Sequence, residues 1–248
     1  MRMEGLLKGK KAIVTGARGL ARGMVQGLFD AGAQIAVISR GASGQALVEE
    51  GIAAHAFCAD LQSRQQRGEA FEAALEALGG RLDILVNCAG VQSRHEIEAF
   101  PMDEWDRVLE VNLNAVWDLS QRAARVMIAQ ESGKIINIAS MISFFGGIRI
   151  PAYAASKGGV AQLTKALAVG LAKYNIQVNA LAPGYMDTEM NTALLQDSQR
   201  CASILSRIPA GRFGQPQDMA GPCVFLASSL SDYVNGAVLP VDGAYLVC

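Results

Sequence analysis

The sequence predicts an α/β fold: a single Rossmann-like, doubly wound parallel sheet of about seven strands, with helices on both faces. Two observations predict it. Short runs of β-branched and other apolar residues alternate with longer segments in which apolar residues recur every three or four positions. The strand runs are apolar throughout rather than alternately polar and apolar, which is typical of parallel strands buried on both faces.

Each element is predicted from its local pattern, in chain order. Runs rich in Ile, Val, Leu and Ala predict a third strand that ends at Asp60 and further strands at 12–15, 35–38, 84–86, 135–138, 176–181 and 237–241. Helical spacing predicts a weak helix at 192–205 and stronger ones at 20–31, 63–78, 103–130, 152–173 and 217–227. No repeat or linker separates them, so one domain is expected over residues 1–248.

Composition favours a soluble, cytoplasmic globular protein. The 248 residues are 51% hydrophobic, with mean hydropathy +0.22, which suits one well-filled core. The formal charge of −1 provides no basic excess, so no nucleic-acid partner is expected. Charges interrupt every apolar stretch before it is long enough to span a bilayer, so no membrane partner is expected. The five cysteines and two histidines are scattered, and we expect neither a disulfide framework nor a metal site.

A glycine-rich turn joins the first predicted strand to the first predicted helix. Gly16, Arg18, Gly19 and Leu20 form this turn. Glycines let the backbone approach a pyrophosphate, and the N-terminus of a helix offers free N–H groups with a partial positive charge. The turn therefore predicts a dinucleotide site.

Ser39 and Arg40 stand where the second strand ends and indicate which dinucleotide is bound. A carboxylate at this position would bind a ribose 2'-hydroxyl, whereas a basic residue accepts a 2'-phosphate. Arg40 can pair with phosphate and Arg18 can help, so NADP(H) is favoured and NAD(H) stays possible. A simply solvated Arg40 is the alternative. Asp60 is expected to accept a hydrogen bond from the adenine amino group.

Tyr153 and Lys157 are four residues apart and share one face of a predicted helix. An ammonium group beside a phenol lowers the phenol pKa and allows proton exchange near neutral pH. Ser140 closes an apolar strand run, so its hydroxyl is expected at the carboxyl end of the sheet, where ligands bind. Taken alone, the Tyr–Lys spacing also fits an ordinary helix tyrosine and a solvated lysine.

Together these motifs resemble the short-chain dehydrogenase/reductase family over essentially the whole chain. The matching motifs are the glycine turn from Thr15, Asp60-Leu61, Asn87-Cys88-Ala89-Gly90, Val111-Asn112-Leu113, Ser140, Tyr153 with Lys157, and Pro183-Gly184. The resemblance implies an enzyme that transfers hydride between a nicotinamide cofactor and a carbonyl or secondary alcohol of a small molecule. It also implies a homotetramer.

The resemblance assigns roles to particular residues. It makes Tyr153 the acid/base, Lys157 the group that lowers the pKa of Tyr153 and holds the nicotinamide ribose, and Ser140 the group that orients the substrate oxygen. Asn112 is implied to support a water relay to Lys157. Besides the residues of the glycine turn and the second strand, cofactor contacts are implied for Asp60, Leu61, Asn87, Ala89, Gly90, Tyr153, Lys157, Pro183, Gly184, Met186 and Thr188.

Two positions depart from the family pattern. The glycine turn is one residue short, because only Ala17 and Arg18 separate its first two glycines, and Ala21 stands in place of the third. This shortening is expected to shift the pyrophosphate or weaken cofactor affinity. Cys88 replaces an asparagine and removes an amide that would join neighbouring strands.

The substrate is predicted less directly. Long segments, including 133–141 and 182–186, are most similar to family members that act on keto-deoxy sugar acids. Arg94 and Arg149 are placed to pair with a carboxylate near Tyr153, although each fits an interface or a surface salt bridge equally well. Gln92 and Tyr185 are further candidates for substrate contact. The irregular segment at about 185–212 is expected either to cover the substrate or to be a surface excursion.

Three hypotheses about function stay open. The first is an oxidoreductase acting on a keto-deoxy sugar acid. The second keeps the enzyme class but changes the substrate to a 3-oxoacyl thioester or another polyol. The third is a non-catalytic cofactor-binding scaffold, suggested by the short glycine turn. The combination of Ser140, Tyr153, Lys157 and Asn112 argues against the scaffold, which would have no physical need for all four residues.

Overall fold

Seven parallel strands form one sheet in the computed structural model, which describes residues 5–191 and 197–248. The strands are β1 Lys11–Thr15, β2 Gln34–Ser39, β3 His55–Cys58, β4 Ile84–Asn87, β5 Gly133–Ile138, β6 Ile176–Pro183 and β7 Val238–Val241. Their order is β3-β2-β1-β4-β5-β6-β7, and every neighbouring pair is parallel. The winding direction reverses between β1 and β4, so a crevice opens there at the carboxyl ends of the strands. The predicted fold class is confirmed.

Eight α-helices surround the sheet within the described residues. They are α1 Leu20–Asp30, α2 Ser43–Glu49, α3 Arg64–Ala77, α4 Met102–Leu109, α5 Ala115–Gln130, α6 Pro151–Leu171, α7 Ser198–Leu205 and α8 Ala220–Ala227. Helices α1 and α8 pack on one face of the sheet, and α3, α5 and α6 pack on the other. None of the helices in the described part of the chain is both long and apolar enough to cross a membrane.

The apolar strand runs explain why both faces are covered. In β1, Ala12 and Val14 belong to the core under α1 and α8, whereas Ile13 between them belongs to the core under α3, α5 and α6. Successive side chains of a strand point to opposite faces, so a strand that is apolar throughout needs two cores. The eight residues of β6 are all buried for the same reason.

The helix predicted at 103–130 is divided into two in the structure. Helix α4 ends at Leu109, a π-helical turn spans Glu110–Asn114, and α5 continues from Ala115. A π turn holds one more residue than an α turn, and such turns are frequent at functional sites. This turn buries Asn112 completely.

Other boundaries differ from the predicted ones by small amounts. Helix α2 was not predicted, because its seven residues carry too few apolar positions to give a periodic signal.

The weak helical pattern at 192–205 is partly testable. Residues 192–196 lie outside the described part of the chain, and the rest contains α7.

A buried ion network joins α3 to the π turn. Arg67 Nε donates to Asp118 Oδ2 at 2.7 Å, and Arg67 Nη1 donates to Glu110 Oε1 at 2.6 Å and to the carbonyl of Leu61 at 2.8 Å. The side chains of Arg67 and Asp118 are only 4% and 7% exposed. Burial alone would raise the pKa of Asp118, but the hydrogen bond from Arg67 and the charge of Arg122 hold it below its ordinary value.

Candidate active site

A cavity of about 380 Å³ opens along the carboxyl ends of the strands. The glycine turn and Arg40 line one end of it, and Arg94 and Tyr185 line the other. Tyr153 and other residues of β5 and α6 form the wall between these ends. The cavity therefore lies at the crevice that the order of the strands predicts.

Most of the residues predicted for the site line this cavity. Those from the catalytic prediction are Ser140, Tyr153 and Lys157. Those from the cofactor prediction also include Gly16, Arg18, Gly19, Leu20, Ser39, Arg40, Asp60, Leu61, Ala89, Gly90, Pro183, Gly184, Met186 and Thr188. Those from the substrate prediction are Gln92, Arg94 and Tyr185. Asn87, Asn112 and Arg149 were also predicted, but the structure places them elsewhere.

The glycine turn forms a cradle despite its shortened length. Gly16 and Gly19 have positive φ angles of 88° and 52°, which favour glycine. A Cβ atom on Gly16 would lie 3.3 Å from the Cβ of Ala21 and 3.6 Å from the backbone of Ala89. Helix α1 begins at Leu20, the last residue of the turn, and no side chain caps its N–H groups. The turn can therefore still present a helix N-terminus to a phosphate.

The end of β2 holds a buried hydroxyl with no hydrogen-bond partner. Ser39 Oγ is the atom concerned, and its residue is 6% exposed on the cavity wall. A buried polar atom without a partner costs free energy, so this position suits a polar ligand group. Arg40 follows it at the exposed rim, and Ser43, which was not predicted, also lines the cavity. Arg18 forms an exposed ion pair with Glu189 at 3.2 Å.

Burial dominates the electrostatics of the Tyr153 and Lys157 pair. Lys157 Nζ donates to the carbonyl of Ile138 at 2.5 Å and lies 5.7 Å from the centroid of the Tyr153 ring. Burial lowers the pKa of Lys157 to about 8, and a neighbouring Cys88 only partly opposes this. Burial also raises the pKa of Tyr153, and a hydrogen bond with Ser140 acts in the opposite direction.

The predicted lowering of the Tyr153 pKa by Lys157 is therefore wrong for this structure. Its physical reason is that burial disfavours the charged form of both groups. Lys157 turns its ammonium toward a backbone carbonyl instead of the phenol oxygen. The phenol stays protonated near neutral pH, which is the form that donates a proton.

Ser143, which was not predicted, ties the end of β5 to α6. The backbone N–H of Ser140 donates to Ser143 Oγ at 3.3 Å, and Ser143 Oγ donates to the carbonyl of Lys157 at 2.7 Å. Ser140 Oγ accepts from the N–H of Ile142 at 3.2 Å. These bonds fix the position of α6 relative to the end of β5 at the site. A serine three residues after Ser140 was the only signal available in the sequence.

Asn112 lies behind the cavity wall rather than on it. Its Nδ2 donates to the carbonyl of Val91 at 2.9 Å and to Ser156 Oγ at 3.2 Å, and its Oδ1 accepts from the N–H of Val91 at 2.8 Å. A Cβ atom added to Gly90 would lie 3.3 Å from Asn112 Oδ1 and 3.8 Å from Lys157 Nζ. Asn112 thus approaches the same point as Lys157, and the water relay stays a prediction.

Asn87 is buried and does not line the cavity, and its role as a cofactor contact stays a prediction. Its Nδ2 donates to Ser120 Oγ at 3.0 Å and to Asn137 Oδ1 at 2.9 Å, and the residue is 3% exposed. Asn137 Nδ2 in turn donates to Thr164 Oγ1 at 3.0 Å. The side chain points into the sheet and joins β4 to β5 and α5, because position 87 faces the core at the strand end.

Arg149 does not line the cavity, although its charge acts on Arg94, and its role as a substrate contact stays a prediction. Its Nε lies 3.0 Å from Glu96 Oε1, and both side chains are exposed. Its backbone φ of 65° belongs to a tight turn before α6. The surface salt bridge that the sequence left open as an alternative is the observed arrangement.

Arg94 lies at the substrate end of the cavity, among other polar groups. Burial of its charge is the main cause of its lowered pKa, followed by the positive charge of Arg200, while the oxygens of Tyr185 and Tyr153 oppose the lowering. Arg200 on α7 was not predicted. Arg94 takes part in none of the ion pairs found within residues 5–191 and 197–248. A guanidinium so placed can pair with a carboxylate.

Comparison with known proteins agrees with this geometry. A family model described as enoyl-(acyl carrier protein) reductase matches residues 14–245. The chain is 47% identical over 245 residues to 2-dehydro-3-deoxy-D-gluconate 5-dehydrogenase of Escherichia coli (strain K12), covering 97% of this chain and 96% of that protein. It is 48% identical over 249 residues to the protein of the same name from Bacillus subtilis (strain 168), with the same two coverages.

A solved structure is similar to the chain over its whole length. A gluconate 5-dehydrogenase from Burkholderia cenocepacia J2315, in complex with NADP and tartrate, is 41% identical, with a TM-score of 0.93 and coverage of 100% of this chain and 98% of that chain. From segments such as 133–141, the sequence predicts a likeness to 2-deoxy-D-gluconate 3-dehydrogenase, also called 2-keto-3-deoxygluconate oxidoreductase. The curated relatives carry the same keto-deoxy sugar acid in their name.

Proposed function

The chain belongs to the short-chain dehydrogenase/reductase family, and from this we propose that it is an NADP(H)-dependent oxidoreductase acting on a keto-deoxy sugar acid. One observation carries the proposal. Ser140, Tyr153 and Lys157 share a cavity wall with the glycine turn on one side and Arg94 on the other. A cofactor and an acidic substrate can therefore meet at the proton donor.

The residues that line the cavity suit the groups of NADP. The glycine cradle and the uncapped start of α1 would receive the pyrophosphate. Ser39 Oγ, buried without a partner, and Arg40 at the rim would hold the 2'-phosphate. The Burkholderia relative was crystallised with NADP, which supports the same choice. NAD(H) is the alternative that a solvated Arg40 would allow.

The catalytic residues would orient the substrate and move a proton. The bound nicotinamide supplies or accepts the hydride. Tyr153, kept protonated by burial, would donate the proton to the substrate oxygen in the reductive direction. Ser140 would hold the same oxygen by a second hydrogen bond. Lys157 would hold the nicotinamide ribose from the floor of the cavity.

Arg94 and Arg200 support an acidic substrate. Arg94 lines the cavity, where it lies near Tyr153 and Tyr185, and the positive charges of Arg200 and Arg149 act on it. A carboxylate bound there would relieve the repulsion between these guanidinium groups. Gln92 lines the same end and can bind a hydroxyl. We propose that the segment at about 185–212, which carries Arg200, covers this end.

The proposal is tested by measuring oxidation of NADPH and NADH in parallel with purified protein. The substrates are 2,5-diketo-3-deoxygluconate, 5-ketogluconate and an acetoacetyl thioester. We expect turnover on a sugar acid with a preference for NADPH, because Arg40 pairs with the extra phosphate. The Arg40→Ala variant should lose that preference and keep its rate with NADH.

Other results would select another function. Activity on the thioester alone would select the acyl-reductase hypothesis. No turnover, together with no change in NADPH fluorescence on mixing, would mean that the shortened glycine turn has removed cofactor binding, and would select the scaffold hypothesis.

Cofactor affinity is expected to depend on pH through Lys157. Its ammonium loses a proton as the pH rises through about 8, so the attraction for an anionic dinucleotide weakens. We expect the Kd for NADPH to rise about three- to tenfold between about pH 7 and about pH 9.5. Burial raises the pKa of the neighbouring Cys88 to about 12, so its thiol does not titrate in this interval.

Fluorescence titration across this interval is the measurement. Lys157→Met should bind NADPH weakly at all these pH values and lose the dependence. If this variant kept the same dependence as the wild type, another group would be responsible.

We also propose that the protein is a cytoplasmic homotetramer. Trp117 on α5 and Val169 on α6 expose apolar surface, as do Leu230 and, on the edge strand β7 itself, Leu239. Apolar surface next to an unpaired strand edge suits contact with other copies of the chain. The five free thiols suit a reducing compartment.

A further inference from the structure

The last residues of the chain pack beneath the substrate end of the cavity. We name residues 242–248 the C-terminal segment. The carboxylate of Asp242 accepts from the N–H of Ala244 at 3.0 Å and from that of Leu246 at 2.9 Å, which turns the segment back on itself. The N–H of Ala210 donates to the carbonyl of Gly243 at 3.1 Å. The segment is therefore tied to the residues that follow α7.

Tyr245 is the side chain that this turn buries. It is only 5% exposed and belongs to a small apolar cluster with Met141, Ile204 and Ile208. Met141 directly follows Ser140, and Ile204 lies on α7. Tyr245 thus touches both the catalytic strand end and the segment at about 185–212, although it does not itself line the cavity.

Tyr245 contacts Tyr185, which does line the cavity. Their ring centroids are 5.5 Å apart, with the planes at 72°, which is the edge-to-face arrangement that aromatic pairs prefer. Phe213 also packs edge-to-face against Tyr185, with ring centroids 6.3 Å apart. The guanidinium of Arg207 lies 4.7 Å from the centroid of the Tyr245 ring. Tyr245 is thus held on two sides, and it supports Tyr185 from below.

The two tyrosines also interact electrostatically. Burial raises the pKa of Tyr245, and the neighbouring Tyr185 adds to the rise. Tyr185 lines the cavity together with Arg94, so its hydroxyl can donate a hydrogen bond to a ligand there.

We propose that Tyr245 is a positioning residue that holds Tyr185 so that the Tyr185 hydroxyl donates a hydrogen bond to the substrate next to Arg94. The C-terminal segment thereby sets substrate affinity from outside the cavity. This inference rests on the proposed function, because it assigns a further contact to the same polar, acidic substrate.

Steady-state kinetics with 5-ketogluconate and NADPH test the proposal. We expect Tyr245→Leu to raise KM for the sugar acid about tenfold with kcat within about twofold, because substrate binding rather than chemistry is affected. Tyr245→Phe keeps the ring contact and should raise KM only about threefold. The Kd for NADPH should not change. Tyr174→Leu, at the end of α6 and away from the cavity, is the matched control.

A double-mutant cycle separates positioning from general support of the fold. In a Tyr185→Phe background, Tyr245→Leu should add less than about twofold to KM, because the hydroxyl it positions is already gone. Equal effects in both backgrounds would overturn the proposal. So would a loss of kcat and NADPH affinity together, since that indicates a general disturbance of the site.

Crystal structures of the two variants test the geometry without any substrate. The Tyr185 ring should move in Tyr245→Leu and stay in place in Tyr245→Phe. An unmoved ring in Tyr245→Leu would overturn the inference. If the wild-type protein turned over no sugar acid, the proposed function would fail, and these structures would still decide whether Tyr245 positions Tyr185.

Discussion

Replacing Tyr153 with phenylalanine is expected to lower kcat by at least about a hundredfold, because the variant has no proton to donate to the substrate oxygen. The ring still fills its place on the cavity wall, so the Kd for NADPH should stay close to the wild-type value. The measurements are the rate of NADPH oxidation with 5-ketogluconate and a fluorescence titration of NADPH.

A matched variant makes this result specific. Tyr174→Phe removes a hydroxyl from a tyrosine at the end of α6, beside Lys173 and away from the cavity, and should keep the wild-type rate. If Tyr153→Phe kept a tenth or more of the wild-type rate, Tyr153 would not be the acid. The site would then need another proton donor.

Replacing Asp118 with alanine is expected to lower the free energy of unfolding by about 3–5 kcal/mol. The substitution leaves the guanidinium of Arg67 buried and without its more buried carboxylate partner, which accepts from Arg67 Nε at 2.7 Å. Glu110 stays as a partner, but at a more exposed position. Unfolding in urea near neutral pH, followed by circular dichroism, measures the change.

The ion network around Arg67 also provides a control variant and a pH dependence of the free energy of unfolding. Glu72→Ala removes an exposed partner of Arg122 and should cost no more than about 1 kcal/mol. The pKa of Asp118 is lowered in the folded state, so its contribution is complete above the ordinary carboxylate pKa and is lost as the pH falls from there through the lowered folded-state pKa. Equal losses of unfolding free energy for Asp118→Ala and Glu72→Ala would mean that burial does not strengthen the ion pair between Arg67 and Asp118.

The sheet and much of the cavity wall follow from local sequence patterns. An apolar strand such as β6 can be covered only on both faces, which leads to a parallel α/β sheet. Strands of such a sheet end at one edge, so Ser140 and the glycine turn meet there wherever they stand in the chain. The spacing of Tyr153 and Lys157 on one helix is likewise a local property.

Other features depend on contacts between distant residues. Whether Asn87 at a strand end turns toward the cavity or the core depends on its partners Ser120 and Asn137, which are 33 and 50 residues away in sequence. The raised pKa of Tyr153 depends on how deeply it is buried, which no motif encodes. Arg149 was assigned from its distance in sequence to Tyr153, but its turn directs it to Glu96.

The π turn between α4 and α5 makes the site sensitive to the number of residues rather than to their identity. Because a π turn holds one residue more than an α turn, removing one residue from Glu110–Asn114 would convert it to an α turn and keep α4 and α5 in register. Asp118 would keep its place against Arg67, but Asn112 would lose its place beside Lys157. Single-residue deletions, which surface loops commonly accept during evolution, should be strongly selected against in this stretch of an otherwise continuous helical segment.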